Sequence, residues 1–85
     1  MIMKWTDLWH ENQPTLQQIL SVFFKDENIA IVNCVGSKET KIFVGRAEDF
    51  LAMENVEDYL NDEVDIVFPF YNGKGMNINI YHYDD

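Results

Sequence analysis

Few side chains in this sequence have the type and spacing needed for chemistry. The two histidines, His10 and His82, lie 72 positions apart, and Asp84 follows His82 by two positions. Imidazole and carboxylate groups are zinc ligands, so His10, His82 and Asp84 would form a metal site if the N-terminal segment met the last strand. No familiar ligand spacing supports this site, and a surface histidine explains each position better than a zinc ligand does. We therefore expect no required cofactor and keep zinc as an alternative.

Catalytic motifs are absent from the sequence. It contains no glycine-rich phosphate loop and no nucleophile elbow. Its single cysteine, Cys34, lies in an apolar β-rich run, which favours a buried thiol over a reactive nucleophile. We expect a protein that is not an enzyme.

The charge is strongly acidic and unevenly distributed. The net charge is −9; residues 1–46 carry five acidic and five basic side chains, whereas residues 47–85 carry ten and one. Direct binding to nucleic acid requires clustered lysine and arginine, so this distribution argues against it. A basic protein surface is the expected partner of this negative charge. The alternative is that the charge serves only to keep the protein soluble.

Eight of the acidic residues fall within eighteen positions that contain no base. They are Glu48, Asp49, Glu54, Glu57, Asp58, Asp62, Glu63 and Asp65. Aromatic residues near polar ones are frequent in interfaces, so Tyr81 and Tyr83 join this candidate partner-binding set. Whether Trp5 and Trp9 belong to the core or to an interface is left open.

The hydrophobic pattern predicts an α+β fold in the order α-β-β-α-β-β. After Pro14, apolar residues recur at i, i+3, i+4 and i+7 and predict an amphipathic N-terminal helix that ends near Lys25. Two hairpins, residues 29–44 and 64–83, with short helices between them, complete a four-stranded, mainly antiparallel sheet. We expect a single domain over residues 1–85, with a tryptophan-bearing segment at 1–13 and the α+β core at 14–83.

The last hairpin allows a register to be predicted. A bulged Gly73-Lys74-Gly75 loop, with positive φ at Gly75, would pair Phe70 with Ile78. The alternative two-residue turn would pair Pro69 with Met76 and mix the two faces, so the bulged register is preferred.

Residues 15–83 resemble a family of small phage and prophage proteins of Gram-positive bacteria. The likeness lies in Thr15-Leu16-Gln17-Gln18-Ile19-Leu20, the strand pair 29–35 and 41–44, Gly45-Arg46-Ala47-Glu48-Asp49-Phe50-Leu51, Leu60-Asn61-Asp62-Glu63-Val64 and the strand 76–81. The family has no single activity, so the resemblance implies only an origin in a mobile element. Small acidic phage proteins are similar in type to anti-CRISPR and other anti-defence inhibitors.

These observations together predict a phage-derived inhibitor that acts by binding. Its expected partner is a basic surface of a host nucleic-acid-handling protein, such as a CRISPR effector nuclease prevented from loading its DNA. The expected location is the cytoplasm of the host cell, because no apolar run approaches the roughly 20 residues of a membrane span. The alternatives are a phage accessory or structural protein without inhibitory role and a small zinc-containing protein-binding module.

Overall fold

The computed structural model describes residues 3–4, 13–36 and 38–83. In chain order the elements are β1 (Met3–Lys4), α1 (Leu16–Leu20), β2 (Asn28–Asn33), β3 (Thr40–Arg46), α2 (Ala47–Leu51), α3 (Glu57–Leu60), β4 (Glu63–Pro69) and β5 (Met76–Tyr81). This composition confirms the predicted α+β class. None of the helices in the described ranges combines the length and apolar character needed to cross a membrane.

Helix α1 begins at a capping box and is shorter than predicted. The Thr15 side chain accepts a hydrogen bond from the backbone N–H of Gln18, and the Gln18 side chain accepts one from the backbone N–H of Thr15. The helix ends at Leu20, where the Ser21 hydroxyl donates to the carbonyl of Gln18 at 2.6 Å. The residues that follow Ser21 are β-branched or aromatic and are poorer helix formers, so the helix ends before the amphipathic pattern does.

The sheet has the strand order β1-β4-β5-β2-β3. β1 is only two residues long, so four strands of six or seven residues form most of the sheet. The two predicted hairpins, β2–β3 and β4–β5, are antiparallel. They are joined through a parallel pairing of β2 with β5, which makes the sheet mixed. The four predicted strands are therefore confirmed, but β1 and the parallel seam were not predicted, so the observed order differs from the predicted α-β-β-α-β-β.

The core lies on the face of the sheet that the helices cover. Ile29 and Ile31 of β2 and Ile78 and Ile80 of β5 are fully buried. They pack in one cluster with residues of the helices, among them Leu16, Ile19, Leu20, Ala47 and Phe50. Each such aliphatic side chain contributes roughly 1.5–3 kcal/mol by leaving water. The core is therefore formed by strands β2, β5 and β4 on one side and by the helices on the other.

The predicted register of the last hairpin is wrong. Val67, not Phe70, lies opposite Ile78, and Pro69 lies opposite Met76. The pairing shifts between Val64 and Ile66, so Asp65 is an extra residue in β4. This bulge brings both Val64 and Val67 to the buried face, where strict alternation would separate them.

The turn of this hairpin also differs from the predicted one. Gly73, with φ of 73°, takes the left-handed conformation that was assigned to Gly75. The N–H of Gly73 donates to the carbonyl of Phe70, and the N–H of Phe70 donates to the carbonyl of Gly75. The side chain of Asn72 accepts from the N–H of Lys74 at 2.9 Å. These bonds close a loop longer than three residues.

Candidate partner-binding surface

The segment that contains α2 and α3 is anchored to the core along its inner side. Ala47 and Phe50 of α2 are buried, and Val56, Tyr59 and Leu60 pack against the core cluster. The backbone N–H groups of Ala47 and Glu48 also donate to the carbonyls of Glu27 and Lys25, each at 2.8 Å. The outer side of the segment is therefore held in a fixed position relative to the sheet.

Five carboxylates occupy the outer side of this segment, and we call them the acidic surface: Glu48, Asp49, Glu54, Glu57 and Asp58. Glu48 and Asp49 form exposed ion pairs with Arg46 at 3.5 and 3.6 Å. Such pairs contribute at most about 1 kcal/mol, so they leave these carboxylates accessible to a partner. Glu54, Glu57 and Asp58 are exposed, and no basic group of the described residues lies within salt-bridge distance of them.

Asp62 does not belong to the acidic surface. Its Oδ2 lies 2.7 Å from Nδ1 of His82, and both side chains are largely buried. The ring of His82 packs against Tyr59 with 4.6 Å between centroids. Asp62 and His82 therefore join the end of α3 to the residue after β5, which is a structural role within the described part of the molecule.

Glu63 and Asp65 lie on the opposite side of the sheet from the acidic surface. Glu63 pairs with Tyr81, whose neighbour Ile80 faces the core, so Glu63 and Tyr81 face away from the helices. Burial and a hydrogen bond with the Asp65 carboxylate raise the pKa of Tyr81 to about 12. Oδ1 of Asp65 is itself buried without a hydrogen-bond partner among the described residues. The eight predicted acidic residues are thus divided between two faces of the molecule.

The two predicted tyrosines also differ in exposure. Tyr81 is partly buried and engaged with Asp65, whereas Tyr83 is 70% exposed. Of the two, Tyr83 has the larger surface free for a partner. Trp5 and Trp9 lie outside the described residues.

The proposed zinc ligands are not brought together in the described part of the chain. His10 and Asp84 lie outside it, and Nδ1 of His82 faces Asp62. Among the described residues no group of three histidine, cysteine, aspartate or glutamate side chains could hold a metal ion. Burial, with added repulsion from Glu39 and Asp65, raises the pKa of the Cys34 thiol. A raised pKa lowers the fraction of reactive thiolate.

Sequence reasoning missed three exposed large apolar side chains. Val22 and Phe24 are 76% and 77% exposed, and Leu51 is 45% exposed. Phe23 fits the i, i+3, i+4 pattern of the buried helix face, but its neighbours Val22 and Phe24 do not. Their position outside this pattern is the signal that could have predicted their exposure. The helical spacing of Ala47, Phe50 and Leu51 predicts that Leu51 is buried, so its exposure could not be predicted from the sequence.

The chain was also compared with known proteins. No protein-family model matches it, and searches of curated proteins and of solved structures return no significant match.

Proposed function

We propose that this protein is a non-catalytic binding domain whose acidic surface engages a basic surface of a nucleic-acid-handling protein. The observation that carries the proposal is the placement of five carboxylates on the outer side of a segment whose inner side is anchored in the core. Because the backbone is held in place, binding a partner orders the acidic side chains but not the backbone that carries them.

The charge on the acidic surface suits competition with nucleic acid. Duplex DNA presents one negative charge per roughly 1.7 Å of its axis, and its binding proteins meet it with lysine and arginine. Between Arg46 and Asp58 the chain carries five acidic groups and one basic group. A partner groove that attracts phosphates would therefore also attract this surface, and its field would accelerate the encounter.

A CRISPR effector nuclease of a Gram-positive host is the partner class that we propose to test first. The resemblance of residues 15–83 to small phage and prophage proteins supports this choice, together with the acidic character shared with anti-defence inhibitors. In this role the protein would act in the host cytoplasm and would prevent the effector from loading its DNA.

The experiment measures DNA loading by a purified effector in the presence of this protein and of two matched variants. The test variant reverses the acidic surface with Glu57→Lys and Asp58→Lys. The control variant carries Asp26→Lys and Glu39→Lys, which are also one aspartate and one glutamate, both exposed. Both variants change the net charge equally, so only the position of the change differs. Thermal melts confirm that each variant is folded.

We expect the wild-type protein to reduce DNA loading and the test variant to lose this effect by about tenfold or more. The control variant should retain most of it. The inhibition should also weaken as salt shortens the Debye length from about 10 Å to roughly 3 Å. Equal losses in the two variants would contradict the proposal, because net charge alone would then explain the binding.

A further inference from the structure

Three large apolar side chains, Val22, Phe24 and Leu51, are exposed to solvent. Phe23 packs against the core, so the residues on either side of it, Val22 and Phe24, project outward. Leu51 is exposed at the C-terminal end of α2. Of the three, Leu51 lines a groove, and an exposed apolar side chain in a groove is typical of a binding surface, whereas isolated exposed ones are ordinary.

This groove is open and lies beside Leu51. It has a volume of about 270 Å³ and is lined by Lys25, Glu48, Leu51 and Ala52. The hydrogen bond from the N–H of Glu48 to the carbonyl of Lys25, 2.8 Å long, joins its two walls. A groove of this volume is just below the roughly 300–1,000 Å³ of a typical small-molecule site, and it has room for an aliphatic side chain.

The charge around the groove restricts what can occupy it. Glu48 lines the groove, Asp49 follows in the same helix, and Glu54 comes two positions after Ala52. Lys25 and Arg46 supply the nearby basic charge, so the acidic groups of 46–58 remain in excess. A second copy of this chain would bring another charge of −9 to the same place, which disfavours self-association.

We propose that this groove receives one aliphatic side chain from a lysine- or arginine-rich segment of the partner protein. The basic residues of that segment pair with the acidic surface, while its apolar side chain contacts Leu51. The inference rests on the proposed function and adds an apolar anchor to it, because binding energy is concentrated where water is excluded.

The test uses two fluorescein-labelled, lysine-rich dodecapeptides that differ only in a central leucine or glycine. Fluorescence anisotropy gives their affinities for the full chain at about 20 mM salt, where screening is weak. We expect the leucine peptide to bind about threefold to tenfold more tightly, as partial burial of one leucine side chain allows. Leu51→Ser should abolish this difference. Val44→Ser, at an apolar position of β3 that is 57% exposed, should leave it unchanged.

Each result separates the groove from the charge. Equal affinity of the two peptides for the wild-type protein would overturn the proposal that the groove binds an aliphatic side chain. Weaker binding of both peptides to the Glu57→Lys, Asp58→Lys variant would still support the acidic surface. If the Glu57→Lys, Asp58→Lys variant binds both peptides as tightly as the wild-type protein and still prefers the leucine peptide, the groove is supported and the proposed function is contradicted. Sedimentation that shows a dimer dissolved by Leu51→Ser would assign the groove to a second copy and overturn the proposal.

Discussion

At the scale of single residues, the two glycines of the last hairpin loop are required for different reasons. Gly73 has positive φ and open space around it, whereas Gly75 is buried and has ordinary φ. A Cβ at Gly75 would come within 2.5 Å of the carbonyl oxygen of Asn28 and of the Phe70 ring. The first glycine relieves backbone strain, and the second allows the loop to approach β2.

We expect Gly75→Ala to lower the free energy of unfolding by about 2–3 kcal/mol, because a backbone oxygen cannot move aside as a side chain can. Gly73→Ala should cost only about 1 kcal/mol, the strain of an L-residue in the left-handed region. Urea melts of the two variants give the comparison directly. A larger cost at Gly73 than at Gly75 would show that backbone conformation, not contact with Asn28, decides this loop.

The Tyr81 hydroxyl gives the second prediction at this scale. Its pKa is raised from 10.0 to about 12 in the folded protein, so the folded state holds this proton after the unfolded chain has released it. The stabilising contribution is complete below pH 10 and is lost as the pH rises towards about 12. The free energy of unfolding should therefore fall with pH across this window, and less steeply in Tyr81→Phe.

Near-ultraviolet titration of tyrosinate absorbance provides the control. Tyr81→Phe should remove one of the four tyrosine titrations, and the missing step should have its midpoint near pH 12. Loss of a step with a midpoint near 10 would show that the Asp65 carboxylate does not act on this hydroxyl.

At the scale of elements, the parallel seam between β2 and β5 is closed by the side chain of Asn33. Its Nδ2 donates to the carbonyl of His82, and its Oδ1 accepts from the N–H groups of His82 and Val35, at 3.0 to 3.1 Å. One partly buried amide thus extends the pairing of two strands that are distant in the sequence. The Asp62–His82 contact fixes the same strand end to α3.

We expect Asn33→Ala to cost about 2–3 kcal/mol, because it leaves partly buried backbone groups without partners. Asn28→Ala is the matched control in the same strand, since Asn28 is exposed and donates one bond of 3.3 Å to Lys74. That change should cost about 0.5 kcal/mol or less. Similar losses in the two urea melts would show that the three bonds of Asn33 add little.

The local parts of this fold were predictable from the sequence, and the long-range parts were not. Hydrophobic spacing located α1, and β-rich runs located the strands, because these signals act between near neighbours. The bulge at Asp65 has no local signature, and it changes which residues of β4 beyond Val64 face the core. The parallel seam joins segments more than forty residues apart, so no short pattern encodes it. Composition identified the acidic residues but could not separate Asp62 and Asp65 from the acidic surface.

At the scale of the whole molecule, the excess negative charge acts against folding as well as for recognition. A charge of −9 on a chain of this size repels itself more strongly when the chain is compact. The placement of Glu54, Glu57 and Asp58 on an exposed side keeps these charges in water, where the repulsion is weakest.

Salt should therefore stabilise the fold. Raising the salt concentration from about 10 mM to 300 mM shortens the Debye length from about 30 Å to roughly 6 Å and should increase the free energy of unfolding by about 1 kcal/mol. Sodium and potassium chloride should act alike, because screening depends on ionic strength. A decrease with salt would mean that attractive pairs such as Arg46 with Glu48 outweigh the repulsion.

The strand order sets the sequence of events during synthesis on the ribosome. β5 lies at the centre of the sheet, but it is translated after every other strand of that sheet. Until residues 76–81 leave the ribosome, no strand connects the β2–β3 hairpin to β4. Ile29 and Ile31 then lack the packing against Ile78 and Ile80. Nascent chains with open strand edges are prone to aggregate. β5 therefore completes the sheet by joining β4 to β2. A chain truncated before residue 76 is expected to expose unpaired strand edges and to aggregate.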